Sequence, residues 1–340
     1  MNQTTGPRRR LRTLLATVGT AAAAALVLAG CSAGSPSSGS SGSSTGAGDS
    51  GAYPVTITTA LGTTTIDSAP KRVVALGWGD AETALALGVQ PVGASDWLGF
   101  GGDGVGPWLK NAYTKSPKII GTLEPSYEQI VALKPDVILD VNSSGDQARY
   151  DKLSKIAPTV AVPKGAKNYA TTTKQQVTMI AKALGKVAKG KQLLTSVDDA
   201  FTAAKKAHPE FAGKSAVIGA FTSEGYGAYS SNDTRVQYMQ RLGFTQPKKI
   251  DDLAGDQFSA SLSDENLDLL DADLTVILPI FQTAEQASAS ALFQKVPSVE
   301  AGHAIVVSDK DVASSFSAGT VPAILWSLKR LPDEFQAKLG

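Results

Sequence analysis

Residues 172–207, TTKQQVTMIAKALGKVAKGKQLLTSVDDAFTAAKKA, divide the chain into two halves of similar design. From about Thr173 the apolar residues Val177, Ile180, Ala181, Leu184, Val187, Leu193, Leu194, Val197, Phe201 and Ala204 recur mostly at steps of three and four. That is the period of an amphipathic helix. Gly185 and Gly190 interrupt it, and each costs about 1 kcal/mol relative to alanine in a helix interior. The spacing predicts a shorter helix ending near Leu184 and a longer one from about Val187 to His208. Strand and helix patterns alternate on both sides. The expectation is a single stiff helix joining two lobes, with the functional site in the cleft between them.

The first half alternates short apolar runs with helical patterns. Two alternating runs, 55–59 and 63–67, flank Leu61-Gly62 and predict a β-hairpin. Apolar strands at 71–76, 90–94, 118–121, 135–139 and 158–162 are separated by helices at 81–87, 126–133 and 152–156. Gly79 or Asp80 is the expected cap of the first of these helices. Strand–helix–strand units with short links imply a parallel sheet covered on both faces. Ligands on such sheets bind beyond the carboxyl ends of the strands. Trp78, Asp80, Asp96, Trp97, Phe100, Trp108, Asn142 and Ser143 fall in those loops. Three of the chain's four tryptophans are among them, which favours ligand contact over packing beneath the glycine-rich loop 99–107.

The second half repeats the scheme, with a strand at 215–221 and further strands at 274–278 and 304–307. Residues 222–229 are rich in glycine and tyrosine and read as a loop. Its strand-end loops carry Glu224, Tyr226, Tyr229, Arg235, Phe281, Gln282 and Phe316. One pattern occurs in both halves, 137 positions apart: Ser-x-Glu-x-apolar-x-x-Leu-x-x-Asp, at 126–136 and again at 263–273. Serine is a helix cap, Gln129 completes a capping box in the first copy, and the glutamate sits at the positive end of the helix dipole. A single copy is explained by the 0.3–1 kcal/mol or so that such a glutamate contributes to its helix. Two copies in equivalent places suggest paired carboxylates, Glu128 and Glu265, facing one partner.

The ends of the chain are of another kind. Arg8, Arg9, Arg10 and Arg12 precede an apolar, alanine-rich run to Gly30, too short and small-sided for a membrane span. It ends Leu28-Ala29-Gly30-Cys31, which resembles a bacterial lipoprotein processing site, at which Cys31 is lipidated and becomes the new N-terminus. An ordinary signal peptide with a chance cysteine is the alternative. The arginines also weakly resemble a twin-arginine signal, although Pro7 favours general secretion. Cys31 is the only cysteine, so no intramolecular disulfide can form. Residues 31–52 are a Ser/Gly-rich tether with a reach of roughly 25 Å. Without residues 1–30 the chain has 28 basic and 31 acidic residues, and no basic surface for nucleic acid.

Several motifs together carry a family resemblance: Lys71-Arg-Val-Val-Ala-Leu76, Leu87-Gly-Val-Gln-Pro-Val-Gly93, Pro125-Ser-Tyr-Glu-Gln-Ile-Val-Ala-Leu-Lys-Pro-Asp136, Ile180-Ala-Lys-Ala-Leu-Gly185 and Leu242-Gly-Phe244. The chain resembles the substrate-binding lipoproteins of ABC importers for ferric siderophores, haem and cobalamin. The resemblance implies an α/β fold of the class III periplasmic-binding-protein type. Two Rossmann-like lobes, with parallel sheets flanked by helices, are joined by one long connecting helix. The expected division is leader 1–30, tether 31–52, first lobe 53–165, connecting segment 166–212 and second lobe 213–340. It further implies a monomer, lipid-anchored on the extracytoplasmic face of the cell membrane and not an enzyme. Glu128 and Glu265 would dock on arginines of two permease subunits served by an ATPase.

The ligand is narrowed by what is scarce. The only histidines, His208 and His303, lie in no cluster, so no site for a bare metal ion is expected. Siderophore-held iron needs no protein ligand and no cofactor. It needs aromatic walls and a few polar contacts. The expected contacts are Trp78, Trp97, Phe100, Trp108, Tyr226, Tyr229, Arg235 and Phe281, with Arg149 a second cation. So few cations suit a hydroxamate-type siderophore better than an anionic catecholate. Haem, with Tyr226 or Tyr229 on the iron, and cobalamin are the alternatives. An exported α/β hydrolase would need a Gly-x-Ser-x-Gly elbow after a strand and a catalytic histidine, and the folded part offers neither.

Overall fold

The computed structural model describes residues 53–166 and 169–339. The expected leader, Cys31 and the tether lie outside the described residues. Val55–Thr58 (β1) and Thr63–Ile66 (β2) form the expected antiparallel hairpin, with Val55 opposite Ile66. The first half then supplies Val73–Ala75 (β3), Gly93–Ser95 (β4), Lys118–Ile120 (β5), Val137–Leu139 (β6) and Thr159–Val160 (β7). They form one all-parallel sheet in the order β5-β4-β3-β6-β7. β3, β4, β6 and β7 are buried throughout, as strands covered on both faces must be. Helices Asp80–Ala86 (α1), Tyr127–Ala132 (α2) and Gln147–Ser154 (α3) connect them.

The deciding stretch forms two helices, Thr173–Ala183 (α4) and Val187–Ala207 (α5). Thr172 and Gln175 close a capping box at the start of α4. Gly185, at φ 65°, provides the left-handed residue that ends it. Gly190 has a different use. A methyl group there would stand 2.6 Å from Ala181 Cβ, so the two helices meet where neither has bulk. α5 has 21 residues and is about 30 Å long at 1.5 Å per residue. Leu193 packs against the apolar cores of both halves, while Ile180 and Ala181 enter the first core and Val197 and Phe201 the second.

The second sheet contains Ala216–Thr222 (β8), Gly225–Tyr229 (β9), Ser259–Ser261 (β10), Leu274–Pro279 (β11) and Ala304–Val306 (β12), in the order β10-β9-β8-β11-β12. β8, β11 and β12 are parallel, and β9 runs antiparallel to both of its neighbours. Residues 222–229 are therefore not a loop. Thr222 pairs with Gly225 across a two-residue turn, with Gly225 at φ 103°. Glycine at 219 and 227 permits close strand approach: a Cβ at Gly219 would lie 2.9 Å from the Gly227 carbonyl oxygen. Around this sheet lie Thr234–Leu242 (α6), Lys248–Ala254 (α7), Ala284–Ser288 (α8), Pro297–Glu300 (α9), Lys310–Ala318 (α10), Val321–Ser327 (α11) and Leu331–Leu339 (α12).

The repeated pattern occupies equivalent places. In each half it leads into the strand beside the first sheet strand, β6 beside β3 and β11 beside β8. Its last residue does the same work twice. The Asp136 carboxylate accepts the backbone N–H groups of Lys71 (2.8 Å) and Arg72 (2.9 Å). The Asp273 carboxylate accepts the N–H and the hydroxyl of Ser215, both at 2.7 Å. The turns themselves differ. Ser126 Oγ accepts the Gln129 N–H at 3.4 Å, one half of the expected box. The second copy, Asp264–Leu270, is a 3₁₀ helix to which Ser263 gives no side-chain cap. Among the described residues no helix is long and apolar enough to cross a membrane.

Gly190→Val is expected to push α4 from α5 and lower the unfolding free energy by roughly 1–3 kcal/mol in urea titration. The exposed neighbour change Lys191→Ala should stay within about 0.5 kcal/mol. Equal midpoints for the two variants would contradict the close approach.

Candidate functional site

β3 delivers the chain to Trp78 at the carboxyl end of the first sheet. The Trp78 indole is stacked between two rings: Trp97 at 4.6 Å with planes 11° apart, and Tyr169 at 4.1 Å and 25°. All three rings are partly exposed. Trp78 is held on every side. Its Nε1 donates to Thr122 Oγ1 at 3.1 Å, its N–H to the Asn142 carbonyl at 2.8 Å, and its own carbonyl accepts Gln176 Nε2 at 2.8 Å and Asn142 Nδ2 at 3.2 Å. Tyr169, at φ 51°, is fixed by its N–H on the Ser143 carbonyl.

Charged groups lie beneath this stack. Asp80 does not cap α1. Gly79, at φ 76°, holds that position, and Asp80 turns inward in the first turn. Its Oδ1 accepts Gln176 Nε2 at 2.6 Å and its Oδ2 the Val141 N–H at 2.8 Å. Burial pushes its pKa up to about 7, against the lowering effect of those donors. Gly77 makes the room, since a Cβ there would stand 2.3 Å from Asp80 Oδ2. Arg149 is bidentate on Asp140 at 2.7 and 3.0 Å and donates Nη1 to the Thr122 and Leu123 carbonyls. Both partners are buried, so the pair is a neutral strut rather than a free cation.

Phe100 and Trp108 form a separate group. Their rings meet edge-on at 5.5 Å, and Trp108 leans on Trp326 of α11 at 5.8 Å. Trp108 Nε1 donates to the buried Glu82 at 2.9 Å. The structure does not bring these two residues into the Trp78 stack.

In the second half two expectations need correcting. Tyr226 lies on β9 rather than in a loop. Its ring stacks on Phe293 at 5.0 Å, its hydroxyl donates to the Ala287 carbonyl, and burial raises its pKa to about 12. Tyr229 is buried beneath the Arg235 guanidinium, 3.6 Å from the ring centre. The Tyr226 hydroxyl is thus already taken by the backbone. Arg235, expected as a cation for the ligand, is instead bidentate on Asp233, the cap of α6, at 2.7 and 2.8 Å. Phe281 is the opposite case. It is fully exposed at φ 54° just beyond β11. Ile280 N–H on the Phe221 carbonyl holds it on one side, and the Thr283–Gln286 capping box on the other.

Glu128 and Glu265 are both exposed. His208 is buried against Phe211 and bridges Glu210 and Asp333. Among the described residues no group of three or more His, Cys, Asp or Glu could hold a metal ion. Tyr169, Gln176, Glu82 and Thr320 were not singled out by sequence. The available signal was Asp80 and Glu82, two acids in the first turn of an otherwise apolar helix.

The architecture has close counterparts. The family described as periplasmic binding protein matches residues 73–310. The Bacillus subtilis protein named probable siderophore-binding lipoprotein YfiY is 32% identical over 272 residues, covering 75% of this chain and 80% of that protein. A periplasmic solute binding protein of Mycobacterium smegmatis superposes with a TM-score of 0.73 at 30% identity, covering 84% of this chain and 99% of its own. PiaA of Streptococcus pneumoniae in complex with ferrichrome superposes with a TM-score of 0.71 at 27% identity, covering 84% of this chain and 98% of its own.

The raised pKa of Asp80 has a direct consequence. Its folded form holds a proton up to about pH 7, whereas an unfolded aspartate releases it near pH 4. This residue's contribution to stability is full below that lower value and is lost as pH rises through 7, by up to about 1.4 kcal/mol per pH unit. Asp80→Asn should remove that slope, so the variant's melting temperature improves relative to the parent between pH 5 and pH 8. Parallel melting curves of parent and variant across that range would contradict it.

Proposed function

The chain belongs to the periplasmic binding protein family, and from that premise we infer that it captures a ferric siderophore outside the cytoplasm and delivers it to an ABC permease. The observation that carries this reading is the Tyr169–Trp78–Trp97 stack, a partly exposed aromatic wall at the carboxyl end of the first sheet. Such a wall suits a large, preassembled ligand better than a bare ion. Fully exposed Phe281 supplies an apolar contact from the second half. The name of YfiY and the ferrichrome complex of PiaA support the same ligand class.

The hydroxamate preference has an electrostatic basis. Both candidate cations are cancelled by bidentate carboxylates, Arg149 by Asp140 and Arg235 by Asp233. A strongly anionic catecholate complex would lose hydration without gaining an unpaired cation. A ferric trihydroxamate such as ferrichrome is neutral at the metal and bears no such cost. In this account Trp78, Trp97, Tyr169 and Phe281 touch the ligand, with Phe100 and Trp108 at the margin. The engaged hydroxyl of Tyr226 and the burial of Tyr229 beneath Arg235 disfavour the haem alternative.

The lobes are assigned to 53–165 and 213–340, joined by 166–212, with the protein acting as a monomer that binds and releases rather than catalyses. Cys31 is assigned as the lipid anchor on the outer face of the cell membrane. Glu128 and Glu265, exposed and equivalently placed in the two halves, are assigned to contact cationic sites on the permease subunits, whose ATPase drives uptake. Exposed carboxylates suit that task because they steer association without fixing it tightly.

Titration with ferrichrome should quench tryptophan fluorescence, and Trp97→Ala should weaken binding about tenfold. Unchanged affinity in that variant would remove the wall from the site. Lysine at both 128 and 265 should abolish uptake while leaving ferrichrome affinity at the parent value, and uptake that survives would end the docking assignment.

A further inference from the structure

Glu82 has no place in ligand recognition as described so far, yet it makes a concentrated set of contacts between the halves. It lies on α1, buried, with three neutral donors on its two oxygens. Oε1 accepts the Gly106 N–H at 3.0 Å and Trp108 Nε1 at 2.9 Å, and Oε2 accepts the hydroxyl of buried Thr320. The first donor belongs to the glycine-rich loop of the first half and the second to the short 3₁₀ turn, Pro107–Leu109, that ends it. The third begins α11, 238 positions further along the chain.

Thr320 is the more telling partner. A threonine at a helix N-cap ordinarily accepts a hydrogen bond from the first turn of its own helix. Thr320 occupies the N-cap of α11 and makes no such bond. Its hydroxyl is turned to Glu82 instead. Its methyl group sits over Gly79, where a Cβ would come within 2.5 Å of Thr320 Cγ2. Apolar contact runs alongside: Trp108 leans on Trp326 of the same helix.

The loop needs such an anchor. Gly99, Gly101, Gly102 and Gly104 all have positive φ, and the space around the first three is open, so side-chain packing does not lock them. The Asp96 carboxylate holds the near end, accepting Phe100 N–H at 2.9 Å and Gly101 N–H at 2.7 Å. Glu82 holds the far end.

We propose that Glu82 is a positioning residue that fastens the far end of this loop to the start of α11, so that the Phe100–Trp108 margin of the ligand site is held in place by the second half. Its effect on affinity rests on the ferric siderophore reading; the mechanical coupling does not.

The test is amide hydrogen exchange on the ligand-free protein, followed by ferrichrome titration. Thr320→Val removes the hydroxyl and keeps the methyl; Thr320→Ser keeps the hydroxyl. The valine variant should speed exchange in residues 104–109 on the order of tenfold as well as in α11, and the serine variant should restore the loop. Ferrichrome Kd should rise about fivefold or more in the valine variant and return with serine. Acceleration confined to residues 320–324 would show Thr320 to be of local importance only and overturn the coupling. A loosened loop with unchanged Kd in a parent that binds ferrichrome would overturn the positioning role. A parent that does not bind ferrichrome counts against the hydroxamate reading, and the exchange data still decide the coupling.

Discussion

The contact between Gly190 and Ala181 is the constraint from which the rest follows. Because one residue has no side chain and the other only a methyl group, α4 and α5 lie close enough to act as one stiff element. One apolar core of each half is built on that element, with Leu193 shared between the two. Each sheet therefore takes its position from a common helical spine rather than from flexible strands crossing between lobes. In the proposed reading, such a spine would leave the receptor little freedom to close widely on its ligand. It must present a nearly preformed surface.

What that surface offers follows from how the chain disposes of charge. The arginines nearest the strand ends are each matched by an aspartate in bidentate geometry. Two further carboxylates, Asp80 and Glu82, are buried in one turn of α1 and satisfied by neutral donors. These groups position aromatic residues: Gln176 links Asp80 to the carbonyl of Trp78, and Glu82 holds the indole of Trp108. Charge here holds rings still, and in the proposed reading it is the rings that meet the ligand. Glu128 and Glu265 remain on the outside, where an exposed charge costs little and acts at a distance.

The connecting helices, the hairpin and the strands of the first half were legible because their signals are local: a period of 3.6 residues, an alternation, a glycine at a turn. The repeat at 126–136 and 263–273 was legible as a pattern, but its aspartates were not read for their job, which depends on Lys71, Arg72 and Ser215 far away in sequence. Residues 222–229 were misread because glycine in a strand looks like glycine in a loop until the neighbouring strand is known. Tyr226 went with that error. Arg235 was read as a cation available to the ligand although Asp233 stands two residues before it, because proximity in sequence does not reveal bidentate geometry. Tyr169 and Thr320 left no trace, since each acquires its role only when distant segments meet.

The central claim is that this spine and its aromatic wall form a receptor for a ferric siderophore, with a neutral hydroxamate complex preferred. Native mass spectrometry of the intact protein against an equimolar panel of ferric hydroxamates, ferric catecholates, haem and cobalamin tests it most directly. The account predicts a single 1:1 adduct with the mass of a ferric hydroxamate, retained as collision energy is raised after the other adducts have gone. Retention of haem or cobalamin, with no ferric siderophore bound, would contradict it.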